Sequence, residues 1–435
     1  MNTVTFAWYC YSIVSYDLDA SYGSIMWDPT YHPLIIIIKY YAVIVWSFYS
    51  VNVLVGLFGL LYKSRASSEK SKKVEIVIVS IASQYVKSSL FQCIRETRKK
   101  FHNTPISVVV DEGAELLDEL IETRKELVNA NPLIEKRGEE EQQLLKKENR
   151  SNNTGFNLVI VPQEYRNDLV GKGRALSYYI SSDSLNEDKW YAFIDDDNII
   201  LDDTFLYEIP YYEQRGYSAC NPILVPRPGK NDSCYIMDWI RYFDDNTIFR
   251  FFTGLLEKPL VGLHGEMLCA RGSILKSIGY NKKTIVEDFV FGMELVKRDL
   301  KTWHSATKVS IKSPNSLYDL CRQRGRWFRG IWSEFRYCPP LMKLIVGIRL
   351  IGWTNGFIGS WALSPLWAFW PVDLWVFLFI SIGGVYIWMI YIFGIIKTKQ
   401  PLYKFFLIPL FGFYEASAIW ISKKRQKGFV VIDKN

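Results

Sequence analysis

The chain has 435 residues, 49% of them hydrophobic and 16% aromatic, with a formal charge of +7. That length buries a full domain and leaves apolar sequence over for a bilayer, which excludes an ordinary soluble enzyme. Lys and Arg cluster beside the apolar segments instead of forming a stripe, which excludes a nucleic-acid partner; the seven Cys (10, 93, 220, 234, 269, 321 and 338) include no Cys-x-x-Cys pair and are odd in number, which excludes a zinc ribbon and a complete disulfide framework and fits a reducing compartment.

Residues 1–39 are rich in Tyr and Trp and carry no assignable pattern. Residues 40–62 are almost charge-free and predict a transmembrane helix. Lys63, Arg65, Lys70, Lys72 and Lys73 follow at once, which places the next segment in the cytosol by the positive-inside rule. The span is too long and too far from the start for a cleaved signal peptide. Residues 74–332 read as a cytosolic α/β domain. Short β-branched runs at Val74–Ser80, Ile106–Asp111, Leu158–Val161 and Tyr191–Ile194 alternate with helical patterns, and that alternation predicts a parallel, doubly wound, Rossmann-like sheet. The charged stretch from Glu112 to Arg150 reads as a solvated helix or helical hairpin on that sheet, broken around Asn131-Pro132. Acceptor triplets for glycosylation at Asn149, Asn152 and Asn231 fall in the cytosolic segment and are expected to stay unmodified.

Residues 333–343 mix aromatics with Arg336 and Lys343 and predict an amphipathic interfacial helix. Residues 344–421 form a transmembrane region of two to three spans, followed by a basic tail over 422–435. Pro409 and Gly412 interrupt the last span, which reads equally as a re-entrant segment, and Glu415 within it needs a partner or water.

Three clusters carry chemistry. Tyr191-Ala-Phe-Ile-Asp reads as a buried strand ending in the acids Asp195-Asp196-Asp197, at the strand end where open α/β sheets place ligands. Asp195 and Asp197 lie two apart, so in an extended turn both reach one side, and their hard oxygens suit Mg2+ or Mn2+ held against a diphosphate. Standing alone, such a turn is as readily a solvated loop. The second cluster is Val286-Glu287-Asp288, where Asp288 is expected to take a proton from an acceptor hydroxyl while Glu287 orients the acceptor nearby. The third is Gln323-Arg324-Gly325-Arg326-Trp327, just before the apolar region. Arg326 offers a planar fork for a pyrophosphate and Trp327 an indole for stacking on an acceptor sugar, whereas Arg329 and Trp332 read as interfacial anchors. Lys172 and Arg174, after a glycine-flanked turn, open a helix suited to phosphate. His264, in Gly262-Leu-His-Gly-Glu266, is read as meeting the acceptor or as structural.

In this order and spacing, Asp111, Asp195 to Asp197, Glu287-Asp288 and Gln323 to Trp327 resemble the pattern of glycosyltransferase family 2. The resemblance implies a nucleotide-diphospho-sugar transferase (GT-A) domain, with Asp111 on the donor's nucleoside, Lys172, Asp195, Gln323 and Arg326 at the donor, and metal at Asp195 and Asp197. It also implies a direct displacement that inverts the anomeric carbon. Ile160-Val-Pro-Gln-Glu-Tyr165, Val286 to Gly292, Ser313 to Asp319 and the tail Lys423 to Lys434 are similar to the Egghead-type β-1,4-mannosyltransferases, membrane enzymes that extend glucosylceramide from GDP-mannose. This chain has Asp-Asp-Asp where that group has Asp-Glu-Glu. Cellulose and hyaluronan synthases share the motifs, so a processive polymerase using a UDP-sugar is the enzymatic rival. A non-catalytic membrane adaptor would lack some of the acids, and none is missing. The expectation is an integral membrane enzyme moving one hexose at the cytosolic face to a lipid-linked or glycolipid acceptor.

Overall fold

The computed structural model describes residues 32–129, 155–169, 171–182, 185–357 and 374–421. The apolar runs become strands β1 (Val74–Val79), β2 (Ile106–Asp111), β3 (Asn157–Val161) and β4 (Trp190–Asp195), to which β5 (Ile199–Ile200), β6 (Tyr217–Arg227), β7 (Met267–Arg271) and β8 (Lys301–Lys312) are added. Together they form one eight-stranded sheet in the order β3-β2-β1-β4-β7-β6-β8-β5. Residues of β1 alternate between the two faces: Ile76 and Ile78 enter one apolar core, Val77 and Val79 the other. Burial on both faces explains why the strand reads as a continuous apolar run and not as an alternating one.

The helices are α1 (His32–Leu57), α2 (Lys87–Lys100), α3 (Leu117–Asn129), α4 (Lys172–Ser181), α5 (Thr204–Glu213), α6 (Asp232–Asp244), α7 (Gly272–Ile278), α8 (Glu287–Lys297), α9 (Leu317–Glu334), α10 (Pro340–Phe357), α11 (Leu374–Lys397) and α12 (Ile408–Ile421). Side-chain caps start two of them: Asn231 Oδ1 accepts from the Cys234 amide at α6, and Ser316 Oγ accepts from the Asp319 amide at α9. A π-helical stretch, Asp245–Leu255, continues α6.

The sheet departs from the expected all-parallel one. β1 pairs in parallel with both β2 and β4, and β2 with β3, but β7 lies antiparallel between β4 and β6, and β5 runs antiparallel to β8. A hairpin-like return from β6 through the π-helix inserts β7, which local patterning does not register. The order still reverses at β1, so the carboxyl ends of β1, β2 and β4 open onto one crevice.

Beyond the sheet, α6, α9, α11 and α12 pack around Trp46, Met237, Leu320, Ile390, Tyr391 and Phe411. A second apolar cluster joins the π-helix to α8 and α10 through Ile248, Phe252, Phe289, Met342 and Val346. The first apolar helix begins at His32, ahead of the expected 40–62, and ends in the 3-10 turn Phe58–Leu61. The stretch 333–343 is not one helix: α9 ends at Glu334, a 3-10 turn covers Phe335–Tyr337, and Pro340 opens α10. Pro339-Pro340 supplies the break, since a proline offers no amide and disfavours helix in the residue before it. Among the described residues, one helical run, Leu402–Ile419, is long and apolar enough to cross a bilayer, while Trp46–Leu61 and Ser381–Lys397 are shorter apolar helices. The expected hairpin over Glu112–Arg150 is described only as far as α3; its remainder, the segment 1–31 and the basic tail lie outside the described residues.

Candidate active site

Two cavities meet at the carboxyl edge of the sheet. The first is a cleft of about 190 Å3 lined by Ser80, Asp111, Lys172, Asp195, Asp196, Asp197, Glu287, Gln323 and Arg326. The second, of about 300 Å3, lies among the apolar helices and is lined largely by α1, the π-helix, α10 and α11. Asp288, Glu266, Arg241, Val286 and Trp327 border both.

Each cleft residue is placed by its element. Asp195 ends β4, opposite Val79 of β1, and Asp111 ends β2 opposite Val161. Ser80 Oγ donates to Asp196 Oδ2 at 2.5 Å, turning that middle acid toward β1. Asp197 is 3% exposed, and its carbonyl accepts from Arg227 at 2.6 Å. Gly171, with φ of +57°, makes the left-handed turn into α4 that brings Lys172 to the cleft. Lys172 Nζ donates to Asp195 Oδ1 at 2.5 Å and to the Gly265 carbonyl at 2.8 Å. Burial alone would lower the Lys172 ammonium, but Asp195, Glu287 and Asp288 together hold it above its usual range.

Arg174, expected to suit phosphate, turns its guanidinium toward the chain itself. Its guanidinium pairs with Asp111 and donates to the carbonyls of Tyr165 and Gln163, clamping the loop after β3. Asp111 therefore reaches the cleft with one side already engaged, and burial pushes its carboxyl upward against the pull of Arg174.

The acids of the cleft are short of positive charge. Burial pushes Asp195 above its ordinary range; Lys172 pulls against this, while Glu266 and Asp197 add to it. Among the described residues no three His, Cys, Asp or Glu side chains come together as a metal cage. Asp195 and Asp197 both line the cleft, and two carboxylates fit Mg2+ or Mn2+, ions that take one or two protein carboxylates and complete their shell with substrate phosphate and water.

Asp288 occupies the first turn of α8 on the wall between the cavities. Burial pushes its carboxyl up to about 7, with Glu287 and Glu266 adding to the effect and the Phe289 amide and Lys172 opposing it. A carboxyl held near neutrality can accept a proton and release it again. Gly265 keeps the space beside it open, since a Cβ there would sit 3.3 Å from Asp288 Oδ2 and 3.4 Å from Lys172 Nζ. Glu287, expected on the acceptor side, lines only the cleft, because successive helical positions point about 100° apart and Asp288 takes the side facing the apolar cavity.

On the apolar side His264 is fixed at both ends. Its backbone amide donates to Asn221 Oδ1 at 3.0 Å, its ring Nε2 lies 2.7 Å from Asp245 Oδ1, and Phe249 meets it edge-on at 4.6 Å. Burial disfavours the imidazolium, yet Asp245 and Glu266 raise His264 above its usual value. Burial likewise opposes the charge on Glu266, but Arg241 and His264 hold its carboxyl down at about 2. Trp327 has the guanidinium groups of Arg324 and Arg241 at 4.7 and 4.9 Å from its ring centroid, so it is a fixed wall between the cavities.

Sequence reasoning placed Asp111, Lys172, Asp195, Asp197, Glu287, Asp288, Gln323, Arg326 and Trp327 at this site, and the fold brings all of them to the cleft. It missed Ser80, Arg241, Asp245 and Glu266. Glu266 stood next to the quoted His264-Gly265, and Asp244-Asp245 was a conspicuous double acid in an aromatic run; Arg241 carried no local signal.

A strand-end acid turn, the buried carboxyl of Asp288 and the cation Lys172 lie together over a crevice at the switch point of a GT-A fold. The family described as glycosyl transferase family group 2 matches residues 190–410, half of the chain, and the protein belongs to that family. Over 277 residues it is 25% identical to the β-1,4-mannosyltransferase bre-3 of Caenorhabditis elegans, covering 60% of each chain. It is 26% identical over 269 residues to the β-1,4-mannosyltransferase egh of Drosophila melanogaster, covering 57% of this chain and 56% of that one. The alignment thus spans less than two thirds of the curated relatives. Among solved structures, the mannosyltransferase PcManGT from Pyrobaculum calidifontis, in complex with GDP-Man and Mn2+, aligns with a TM-score of 0.48 at 11% identity, covering 88% of this chain and all of that one.

Proposed function

We propose that the protein is an inverting membrane hexosyltransferase that moves one sugar, mannose from GDP-mannose in first place, to a lipid-linked or glycolipid acceptor. The observation that carries this reading is the position of Asp288 on the wall shared by a charged cleft and an apolar cavity. Donor and acceptor enter from opposite sides and meet at one base. Asp288 takes the proton of the acceptor hydroxyl as that oxygen attacks the anomeric carbon; the bond from that carbon to the diphosphate breaks, and the nucleoside diphosphate leaves with the electron pair. A single displacement inverts the anomeric carbon. Lys172 and Arg326 face the leaving diphosphate with positive charge, Gln323 lies beside them, and Asp111 is available to the nucleoside. Mg2+ or Mn2+ held by Asp195 and Asp197 would supply Lewis-acid charge to the diphosphate. Trp327 and His264 border the acceptor.

Membrane embedding is supported by large apolar side chains exposed on the helical layer, among them Phe58 on the turn after α1, Leu344 on α10, Trp375 and Met389 on α11, and Phe406 just before α12. The basic residues after the first apolar helix support a cytosolic catalytic face. The mannosyl assignment rests on the names of the relatives.

The test offers detergent-solubilised enzyme GDP-mannose, UDP-sugars and native lipid extract in parallel, then weighs the products and determines their anomeric configuration. One added hexose of inverted configuration on an extractable lipid is expected. A water-soluble ladder of many sugars would refute single addition in favour of a synthase, a retained configuration would refute direct displacement, and transfer from UDP-sugars alone would remove the mannosyl assignment.

A further inference from the structure

Arg324 lies inside the Gln323 to Trp327 segment yet borders the apolar cavity and not the cleft. It is 2% exposed. Its Nε donates to both oxygens of Glu415, at 3.1 and 3.2 Å, one terminal nitrogen donates to Asp238 at 2.7 Å, and the other donates to Gln323 Oε1 at 3.1 Å. The same guanidinium lies 4.7 Å from the centre of the Trp327 ring. One side chain thus joins α12, α6 and two residues that line the transfer site.

We propose that Arg324 is a positioning residue, which couples the C-terminal apolar helix through Glu415, and α6 through Asp238, to the orientation of Gln323 and Trp327. Because the Gln323 carbonyl oxygen is taken by Arg324, its amide nitrogen is the end left to face the cleft, as a donor to a phosphate or ribose oxygen. Without Arg324 the amide is free to turn over. The Trp327 ring, held by Arg324 and Arg241, would likewise lose one of its two cationic supports. Only a planar guanidinium spans these partners; a lysine has one nitrogen and reaches at most part of the set. Burying one Arg against two carboxylates is seldom the most stabilising choice for a core, and well-packed apolar residues commonly do as well. Geometry at the site accounts for the arrangement. It also gives Glu415, an acid in an otherwise apolar helix, a defined partner.

The experiment compares wild type, Arg324→Lys, Glu415→Gln and Arg324→Ala in lipid nanodiscs. It reads GDP and UDP affinity in the presence of Mg2+, and kcat and KM with the nucleotide sugar and lipid extract that the wild type turns over. Arg324→Ala is expected to lose about 10²-fold in turnover, the scale of an angstrom-sized misplacement at a reacting centre. Guanidinium ion at tens of millimolar should restore at least about a tenth of the lost rate in Arg324→Ala, with no gain in the wild type. Glu415→Gln, a change confined to the apolar side, should weaken nucleotide affinity and lower kcat together. Wild-type affinity and kinetics in both Arg324→Lys and Glu415→Gln would overturn the assignment, as would an Arg324→Ala enzyme that guanidinium does not revive. The proposal rests on Gln323 and Trp327 lining the transfer site and not on the identity of the sugar. A wild type inactive with GDP-mannose would count against the mannosyl reading alone, while nucleotide affinity in the variants would still decide the role of Arg324.

Discussion

Replacing Glu287 with Gln removes the carboxylate that, after burial itself, does most to raise Asp288 to about 7. The ordinary value for such a carboxyl is 3.8, so the fold holds the base in its protonated form over several pH units where a free Asp would be ionised. The sign follows directly: the protonated acid cannot accept the acceptor's proton, and the active carboxylate appears only as pH rises through about 7. In the wild type, kcat/KM should therefore fall about tenfold for each pH unit below that point. Taking away a neighbouring negative charge favours the carboxylate, so in Glu287→Gln the acid limb should move to lower pH by on the order of one unit, about 1.4 kcal/mol. At pH 6 the variant would then be several-fold faster relative to its own plateau than the wild type, even if the plateau is lower because a cleft carboxylate is missing. The assay is initial-rate transfer from pH 5 to 9 in constant-ionic-strength buffer, at donor and acceptor concentrations well below KM. A wild-type limb below pH 5, or a Glu287→Gln limb that stays put or moves alkaline, would refute the reasoning.

Three further outcomes are expected. Asp197→Ala, and separately excess chelator on the wild type, should each abolish transfer while the melting temperature of the protein stays within a few degrees; full activity in chelator would refute a metal held at Asp195 and Asp197. Asp288→Asn should lower turnover by at least about 10²-fold while leaving nucleotide affinity nearly unchanged. Because ionising a carboxyl whose folded value is raised opposes folding above its ordinary range, the same variant should be more stable at pH 8 by about 2 kcal/mol, after discounting for water in the cleft, with the gain vanishing as pH falls toward 4. Denaturant or thermal melts at the two pH values check it. Trp327→Ala should raise the acceptor KM more than the donor KM, and an equal effect on both would remove Trp327 from the acceptor side.

The strands at Val74, Ile106, Leu158 and Tyr191 were legible because a strand buried on both faces needs an apolar, β-branched residue at nearly every position. The acids at the ends of β2 and β4 were legible for a related reason, since carboxylates that interrupt such runs mark where the chain leaves the core. The failures were of another kind. Pro339-Pro340 broke the helix expected over 333–343, a local signal overridden in the reading by composition. Of the adjacent Glu287 and Asp288, both line the cleft but only Asp288 also reaches the apolar cavity, which the direction of α8 decides.

The sequence by itself determined the family and marked the acid turn, the Glu287-Asp288 pair and the Gln323 to Trp327 segment, because each is a short run whose chemistry and spacing survive without knowledge of its neighbours. Tertiary structure alone decided what those residues touch. Insertion of β7 antiparallel beside β4 carries Gly265 and Glu266 to Lys172 and Asp195, and no periodicity along the chain records which strand will fill that slot. Arg324 finds Asp238 and Glu415 from helices 86 and 91 residues away in opposite directions along the chain. Pairing a buried charge depends on which helices pack together, and that choice is made by the summed burial of whole apolar faces, whereas a sequence motif reports only the few residues within it.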